Sequence, residues 1–301
     1  MYWRNAARLT FGLLLIAALL YTFDPGAIFS TVLSASPQYL VLAVAVYSIT
    51  FLILSLRWRN ILHALDQDLP LSDAYQAFAG GMILSDLTPG RIGVLSRPLM
   101  VRDKVTLNRG LASVVIDRYV DLLTTFILGL CGMLFIANRD AYLVLASSAI
   151  LIIIISTSLL WLRRYSVLGV LRSRSSRFMG IANALEDAIC CIRRPKELMA
   201  RSVLITMLAW ITHALRIAII ARSVGYEVPL PMLILMLPLV NALSLVPVTV
   251  SGLGLVEGGL TALLTSVGVP AAAGISIALM DRAITMAFHV LVGMRAAIKA
   301  L

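Results

Sequence analysis

The sequence predicts an all-α integral membrane protein: one transmembrane domain, 1–301, with six transmembrane helices and two oppositely oriented re-entrant helical hairpins forming an inverted pseudo-repeat. Three observations predict it. Hydrophobic residues make up 60% of the chain and charged ones 13%, against about 25% charged in an average soluble domain. Six apolar runs approach the roughly 20 residues that a helix needs to cross the hydrocarbon. Two further apolar runs are interrupted by Pro and Gly, which break helices and leave backbone groups that must be satisfied inside protein or a wet cavity.

In chain order, the run 9–23 is short and follows Arg4 and Arg8. As a signal peptide it lacks a good cleavage site, since Ser34-Ala35-Ser36 is followed by Pro37, so an uncleaved anchor is expected. The run 39–56 is the second span, and Arg57-Trp58-Arg59 after it reads as an interfacial anchor. The apolar stretch 74–88 ends in Pro89-Gly90-Arg91-Ile92-Gly93 and is expected to form the first hairpin. Runs 111–136 and 142–162 complete the first half, 39–162. Residues 163–201 follow as a cytoplasmic linker with a polybasic face and Phe178, Ile181, Leu185 and Ile189 at helical spacing. The second half, 202–294, holds the span 202–221 and an interrupted stretch, 232–266, with Pro238, Pro247 and Ser251-Gly252-Leu253-Gly254; the span 271–294 closes it.

Lys and Arg concentrate in short cytoplasmic loops, which tests this order. With the N-terminus inside, nineteen of the 25 fall on the cytoplasmic side, Arg57 and Arg97 among them. Arg139 and Arg222 fall outside, and Arg91, Arg118, Arg216 and Arg282 lie at membrane depth. Both termini are therefore expected inside, in a cytoplasmic (inner) membrane, with the hairpins entering from opposite faces. The formal charge of +10 then marks the anionic headgroup side and not a nucleic-acid partner. The halves also share an order of motifs. Leu84-Ser85, Pro89, Gly93 and Asp117-Arg118 parallel Leu243-Ser244, Pro247, Gly252, Gly254 and Asp281-Arg282.

Paired broken helices in an inverted repeat are the sequence pointer to a transporter's binding site, and their free N–H groups suit an anion. The alternative use of such Gly and Pro is close helix packing. Nine ionisable residues fall at membrane depth, namely Asp86, Arg91, Asp117, Arg118, Asp121, Arg216, Glu257, Asp281 and Arg282. Each costs about 2.5 to 3.5 kcal/mol to insert unless paired or solvated. Asp117-Arg118 and Asp281-Arg282 serve equally as ion pairs that lock each half. Arg91, on an irregular loop, can present its planar fork to a phosphate. Glu257 can cap the second break or carry a proton. His213 and Arg216 share a helix face with Trp210 and can hold a phosphate and shuttle a proton, or simply pack. His289 follows Arg282 by two turns. No Cys or His spacing suits zinc, no Asp-rich metal motif is present and no nucleotide-binding motif occurs. Neither metal nor cofactor is expected.

These motifs resemble the lysylphosphatidylglycerol synthase transmembrane-region family. The resemblance rests on Arg57-Trp58-Arg59; on the Pro89-Gly90-Arg91-Ile92-Gly93 turn with Arg97; on Asp117-Arg118 with Asp121; and on Pro247, Ser251-Gly252-Leu253-Gly254-Leu255-Val256-Glu257-Gly258 and Gly268-Val269. It covers most of the chain. Val94 stands where the family often has an acidic residue, and Val248-Thr249 where it often has Pro-Gly. The family includes the flippase region of the multiple peptide resistance factor and stand-alone proteins associated with polyprenyl-phosphate sugars, glycolipids or hopanoids. The chain ends about six residues past its last span, without room for the soluble synthase domain, so the resemblance implies translocation and not aminoacylation.

The expected function is a lipid translocase, not an enzyme, that moves an anionic phospholipid or polyprenyl-phosphate-linked sugar between leaflets through a polar cavity. Arg91, Arg97, Arg118, Arg216 and Arg282 would hold phosphate. Asp86, Asp117, Asp121, His213, Glu257 and Asp281 would pair with them or carry protons, and Pro89, Gly90, Gly93, Pro247, Gly252 and Gly254 would shape the breaks. Two alternatives stand beside it: an enzyme acting on a lipid phosphate with Asp117 or Glu257 as general base, and a scaffold for a glycosyltransferase. The expected partners are membrane lipids, with a homodimer or a lipid-modifying enzyme left open.

Overall fold

A computed structural model describes residues 2–135, 196–245 and 248–300. Every regular element among them is helical apart from one isolated β-bridge. The run 142–162, most of the linker 163–201, and Pro247 lie outside the described residues.

The first run extends into α1 (Tyr2–Thr22), and the chain then bends by 91° into α2 (Pro25–Leu33). The sequence dictates the corner. The Asp24 side chain accepts from the Gly26 and Ala27 amides, and Pro25 supplies the preset φ of a first helical residue. The expected anchor 9–23 is therefore the first arm of a bent pair. Next come α3 (Pro37–Ala64) and α4 (Leu71–Asp86), then a 3₁₀ turn (Ile92–Ser96) leading into α5 (Arg97–Met100). α6 (Leu107–Phe135) ends the first described stretch. After residue 195 the order is α7 (Lys196–Ser223), α8 (Leu230–Ala242), α9 (Leu255–Thr265) and α10 (Ala271–Ala300). Three described helices, α3, α7 and α10, are long and apolar enough to cross a membrane, and α1 with α2 makes a fourth if taken as one span. The protein is a multi-pass helical membrane protein.

Both interrupted stretches stop short. At 1.5 Å per residue, α4 reaches about 24 Å, less than the roughly 30 Å hydrocarbon core. Gly90 and Arg91 then turn the chain with φ of 62° and 55°. The second break uses the same device, with Ser251 at 52° and Gly252 at 72°. The order long helix, short helix, break, returning segment, long helix thus runs twice. α3 packs along α7, and α4 along α10, where Gly293 brings its backbone onto Ala79 and Gly80; small residues permit such close approach. Outward-facing leucines on these helices, such as Leu204 and Leu291, are exposed in the isolated chain, as a lipid-facing surface requires.

Candidate functional site

The two breaks meet. Pro89 and Val250 form an antiparallel bridge, and the Ser251 amide donates to the Thr88 carbonyl at 3.3 Å. Each break also satisfies its own freed backbone. The Thr88 hydroxyl accepts from the Gly93 amide at 2.8 Å and donates to the Leu84 carbonyl. A Cβ at Gly93 would collide with the Leu84 carbonyl, so only glycine lets the returning 3₁₀ turn lie against α4. In the second break the Glu257 carboxylate accepts from the Gly254 amide at 2.7 Å and caps α9. A Cβ at Gly252 would lie 2.6 Å from the Ser244 Cα.

Around this junction three ionic groups assemble. In the first, Asp117 on α6 is fully buried and accepts from Arg57 Nε and Nη2 at 2.9 and 2.6 Å and from Arg97 Nη1 at 2.8 Å. Arg57 also donates to Asp121 and to the Thr206 hydroxyl, while Arg118 pairs with Asp121 at 3.1 Å. Arg97 lies 3.7 Å over the Phe78 ring, a cation–π contact. In the second group, Arg216 on α7 pairs with Asp281 on α10 at 2.8 Å and sits 4.4 Å over the Tyr47 ring. Arg282 pairs with Glu257. In the third, His289 bridges the Tyr47 hydroxyl (2.6 Å) and Asp86 at the end of α4 (2.7 Å).

A cavity of about 470 Å³ joins the three. Gly90, Arg91, Asp86 and Ile92 line it from the first break, and Glu257, Asp281 and Arg282 from the second half. Arg118 and Asp121 on α6, and Trp210, His213 and Arg216 on α7, complete the polar wall. Arg97 and Asp117 do not line it; they sit behind the wall, locked to each other and to Arg57. Of the break residues, Gly90 reaches the cavity, and Pro89, Gly93, Gly252 and Gly254 shape its frame from behind.

Two expectations need correction. Arg57 and Trp58 are not an interfacial anchor: both are fully buried in mid-bundle, and Trp58 donates to Ser113 at 2.9 Å. Arg97 is likewise buried and paired with Asp117, not a free loop charge. Counting basic residues by loop cannot tell a loop arginine from one that a buried carboxylate draws inward. A signal for Arg57 did exist, because it lies 32 residues before Pro89 and Arg216 lies 31 before Pro247. Each pairs with the aspartate of its own half. Tyr47 had no such signal.

The charges of the site sum informatively. Asp86, Asp117, Asp121, Glu257 and Asp281 are five carboxylates; Arg57, Arg91, Arg97, Arg118, Arg216 and Arg282 are six guanidiniums. Five of the six lie within ion-pair distance of a carboxylate. Arg91 is the exception among the described residues: it has no carboxylate within 4 Å, and its buried Nε has no hydrogen-bond partner. The guanidiniums outnumber the carboxylates by one, and Arg91, at the tip of the first break, is the one among the six with no carboxylate in ion-pair contact.

The fold is that of a helical membrane protein whose interrupted segments meet at an internal cavity walled by ionic groups. The chain belongs to the family described as the lysylphosphatidylglycerol synthase TM region, which it matches over residues 5–293. Among curated relatives it is 21% identical over 308 residues to a UPF0104 membrane protein of Methanothermobacter thermautotrophicus, covering 94% of this chain and 91% of that one. It is 22% identical over 311 residues to a UPF0104 membrane protein of Pyrococcus horikoshii, covering 94% and 93%.

Proposed function

We propose that the protein is a transporter that carries lipids with phosphate-bearing, anionic headgroups between leaflets of a cytoplasmic membrane, with both termini inside. The substrate is a phospholipid or a polyprenyl-phosphate-linked sugar. The observation that carries this reading is Arg91 in the cavity wall, with no carboxylate in ion-pair contact and its Nε without a hydrogen-bond partner. A guanidinium fork matches phosphate oxygens, and in a low-dielectric site an unpaired cation favours an anionic guest strongly. The surroundings support a lipid rather than a free anion. Leu87 and Ile92 flank Arg91, and Val248 flanks the opposing break; all three are large, apolar and exposed. A headgroup at Arg91 would leave its acyl or prenyl chain against these side chains, within the hydrocarbon.

The test uses the full chain in phosphatidylcholine liposomes containing a trace of fluorescent phosphatidylglycerol, with outer-leaflet label bleached by dithionite. Wild type is expected to expose inner-leaflet probe, and Arg91→Ala to slow that exchange by at least about tenfold, the loss of roughly 1.4 kcal/mol of recognition. Arg91→Lys, which keeps the charge and loses the fork, should fall between them. Exchange by a folded Arg91→Ala protein at the wild-type rate would remove the basis of the proposal.

A further inference from the structure

The third ionic group has no part in locking either half, and its geometry is unusual. His289 is 3% exposed, with both ring nitrogens engaged: Nδ1 toward Asp86 at 2.7 Å and Nε2 toward the Tyr47 hydroxyl at 2.6 Å. A carboxylate only accepts, so Nδ1 carries a hydrogen and donates to Asp86. A tyrosine hydroxyl both donates and accepts. With His289 neutral, Tyr47 donates to Nε2. With His289 protonated, Nε2–H donates to the Tyr47 oxygen, and the phenol O–H turns toward the cavity, which Tyr47 lines. Both protonation states keep both hydrogen bonds. The other cavity histidine is held differently. Arg216 Nη2 lies 3.1 Å from His213 Nε2, and because a guanidinium can only donate, that nitrogen must be the acceptor and His213 neutral.

We propose that Tyr47, His289 and Asp86 form a proton-binding site that loads together with the anion at Arg91, so that anion and proton cross as a pair. The inference rests on the anion-site reading above. Asp86 belongs to both partners, since it contacts His289 directly and is the carboxylate acting most strongly on Arg91. While His289 is neutral, the Asp86 charge acts on Arg91 and weakens its hold on an anion. Once His289 takes a proton on Nε2, Asp86 is neutralised by the imidazolium, Arg91 is released to the anion, and the Tyr47 hydroxyl becomes a second donor to it. The proton comes from water in the cavity and returns to water when the anion leaves; no bond other than N–H and O–H is made or broken.

The groups facing this site from every packed element fit that account. Tyr47 comes from α3, Asp86 from α4, Arg91 from the first break and Ser251, 3.4 Å from Asp86, from the second. Arg118, paired with Asp121, comes from α6, Arg216 and the neutral His213 from α7, and Asp281 and Arg282 from α10 itself. Arg216 is already matched to Asp281, and Arg282 to Glu257. His289 is thus the one of the two cavity histidines whose hydrogen-bond partners accommodate both the neutral and the protonated ring.

Reciprocal linkage makes the proposal testable in two directions. The full chain, with Trp3 and Trp161 replaced by phenylalanine so that Trp210 at the cavity wall and the buried Trp58 remain, is titrated in detergent with dihexanoyl phosphatidylglycerol, a phosphodiester of fixed charge between pH 5.5 and 8.5, reading tryptophan fluorescence. Wild-type affinity is expected to fall about tenfold or more across that interval, within the usual range of coupling between two sites. In weakly buffered solution near the middle of the interval, binding should take up protons from solvent. His289→Gln should bind with an affinity independent of pH and take up none, whereas His213→Gln should keep the wild-type slope. If His289→Gln does not fold, Tyr47→Phe, which retains the ring packed on Phe288, must flatten the slope by at least half.

A pH-independent wild-type affinity without proton uptake overturns the proton site; if Arg91→Ala then abolishes that binding, the anion site stands. A slope that survives in folded His289→Gln, or is unchanged in Tyr47→Phe, also overturns the proton site. Failure of folded wild type to bind the probe at any pH overturns the anion reading itself.

Discussion

The two halves of the molecule contain the same dipeptide, Asp-Arg, on their last described long helices, and use it differently. Asp117 is dry and sits between two dry guanidiniums from other segments, Arg57 and Arg97. Asp281 has one such partner, Arg216, and its side chain retains 17% exposure to the cavity. The first cluster is a lock in which three elements converge on one carboxylate. The second is a wall that faces the space where an anion would travel. An ion pair in hydrocarbon is therefore not one kind of feature: the number of partners and the access to water decide whether it registers the fold or lines the path.

The sharpest way to break this comparison is to neutralise each aspartate. Asp117→Asn leaves Arg57 and Arg97 without their shared counter-charge, and stripping a buried pair costs about 3 to 5 kcal/mol. Size-exclusion chromatography in detergent should find little monodisperse protein. Asp281→Asn strands a single guanidinium beside a wet cavity, so it should remain folded with a lower melting temperature, a loss of about 1 to 3 kcal/mol. Equal losses would erase the distinction between lock and wall.

Where the clusters differ, the breaks agree, and glycine substitution sharpens that contrast. Gly93→Ala sets a Cβ against the Leu84 carbonyl, and Gly252→Ala sets one against the Ser244 backbone at a positive φ. Each should lower the thermal midpoint by an amount equivalent to about 1 to 3 kcal/mol, the usual cost of overpacking. Arg91→Ala has the smallest expected effect on stability, within about 0.5 kcal/mol, because no counter-ion is stranded. Its effect is expected in the liposome exchange assay instead.

Much of this was legible in the sequence. Pro89-Gly90 and Pro247 through Gly254 announce the breaks because Pro and Gly act locally. Arg91 stood out because it lies on a break and not on a helix. Asp24-Pro25, an equally local cue, marks the 91° corner; the apolar run 9–23 stops there, and the nine-residue arm beyond it is too short to register as a span. The pairings were not legible. Whether Arg57 faces a loop or Asp117 depends on how α3 rotates against α6, which hydropathy does not encode. His289 joins Asp86 across 203 residues, and only the approach of α10 to α4 reveals it.

The central claim is that the two interrupted segments converge on one cavity. Residues opposite each other in an antiparallel bridge have Cα atoms about 4.5 to 5.5 Å apart, within the span a disulfide accepts, roughly 4.4 to 6.8 Å. Pro89→Cys with Val250→Cys, in a chain whose Cys131, Cys190 and Cys191 are replaced by serine, should therefore cross-link rapidly under mild oxidant in membranes and shift in non-reducing electrophoresis. If folded protein carrying the pair keeps both thiols free under conditions that oxidise exposed cysteines, the breaks do not meet and the cavity between them does not exist.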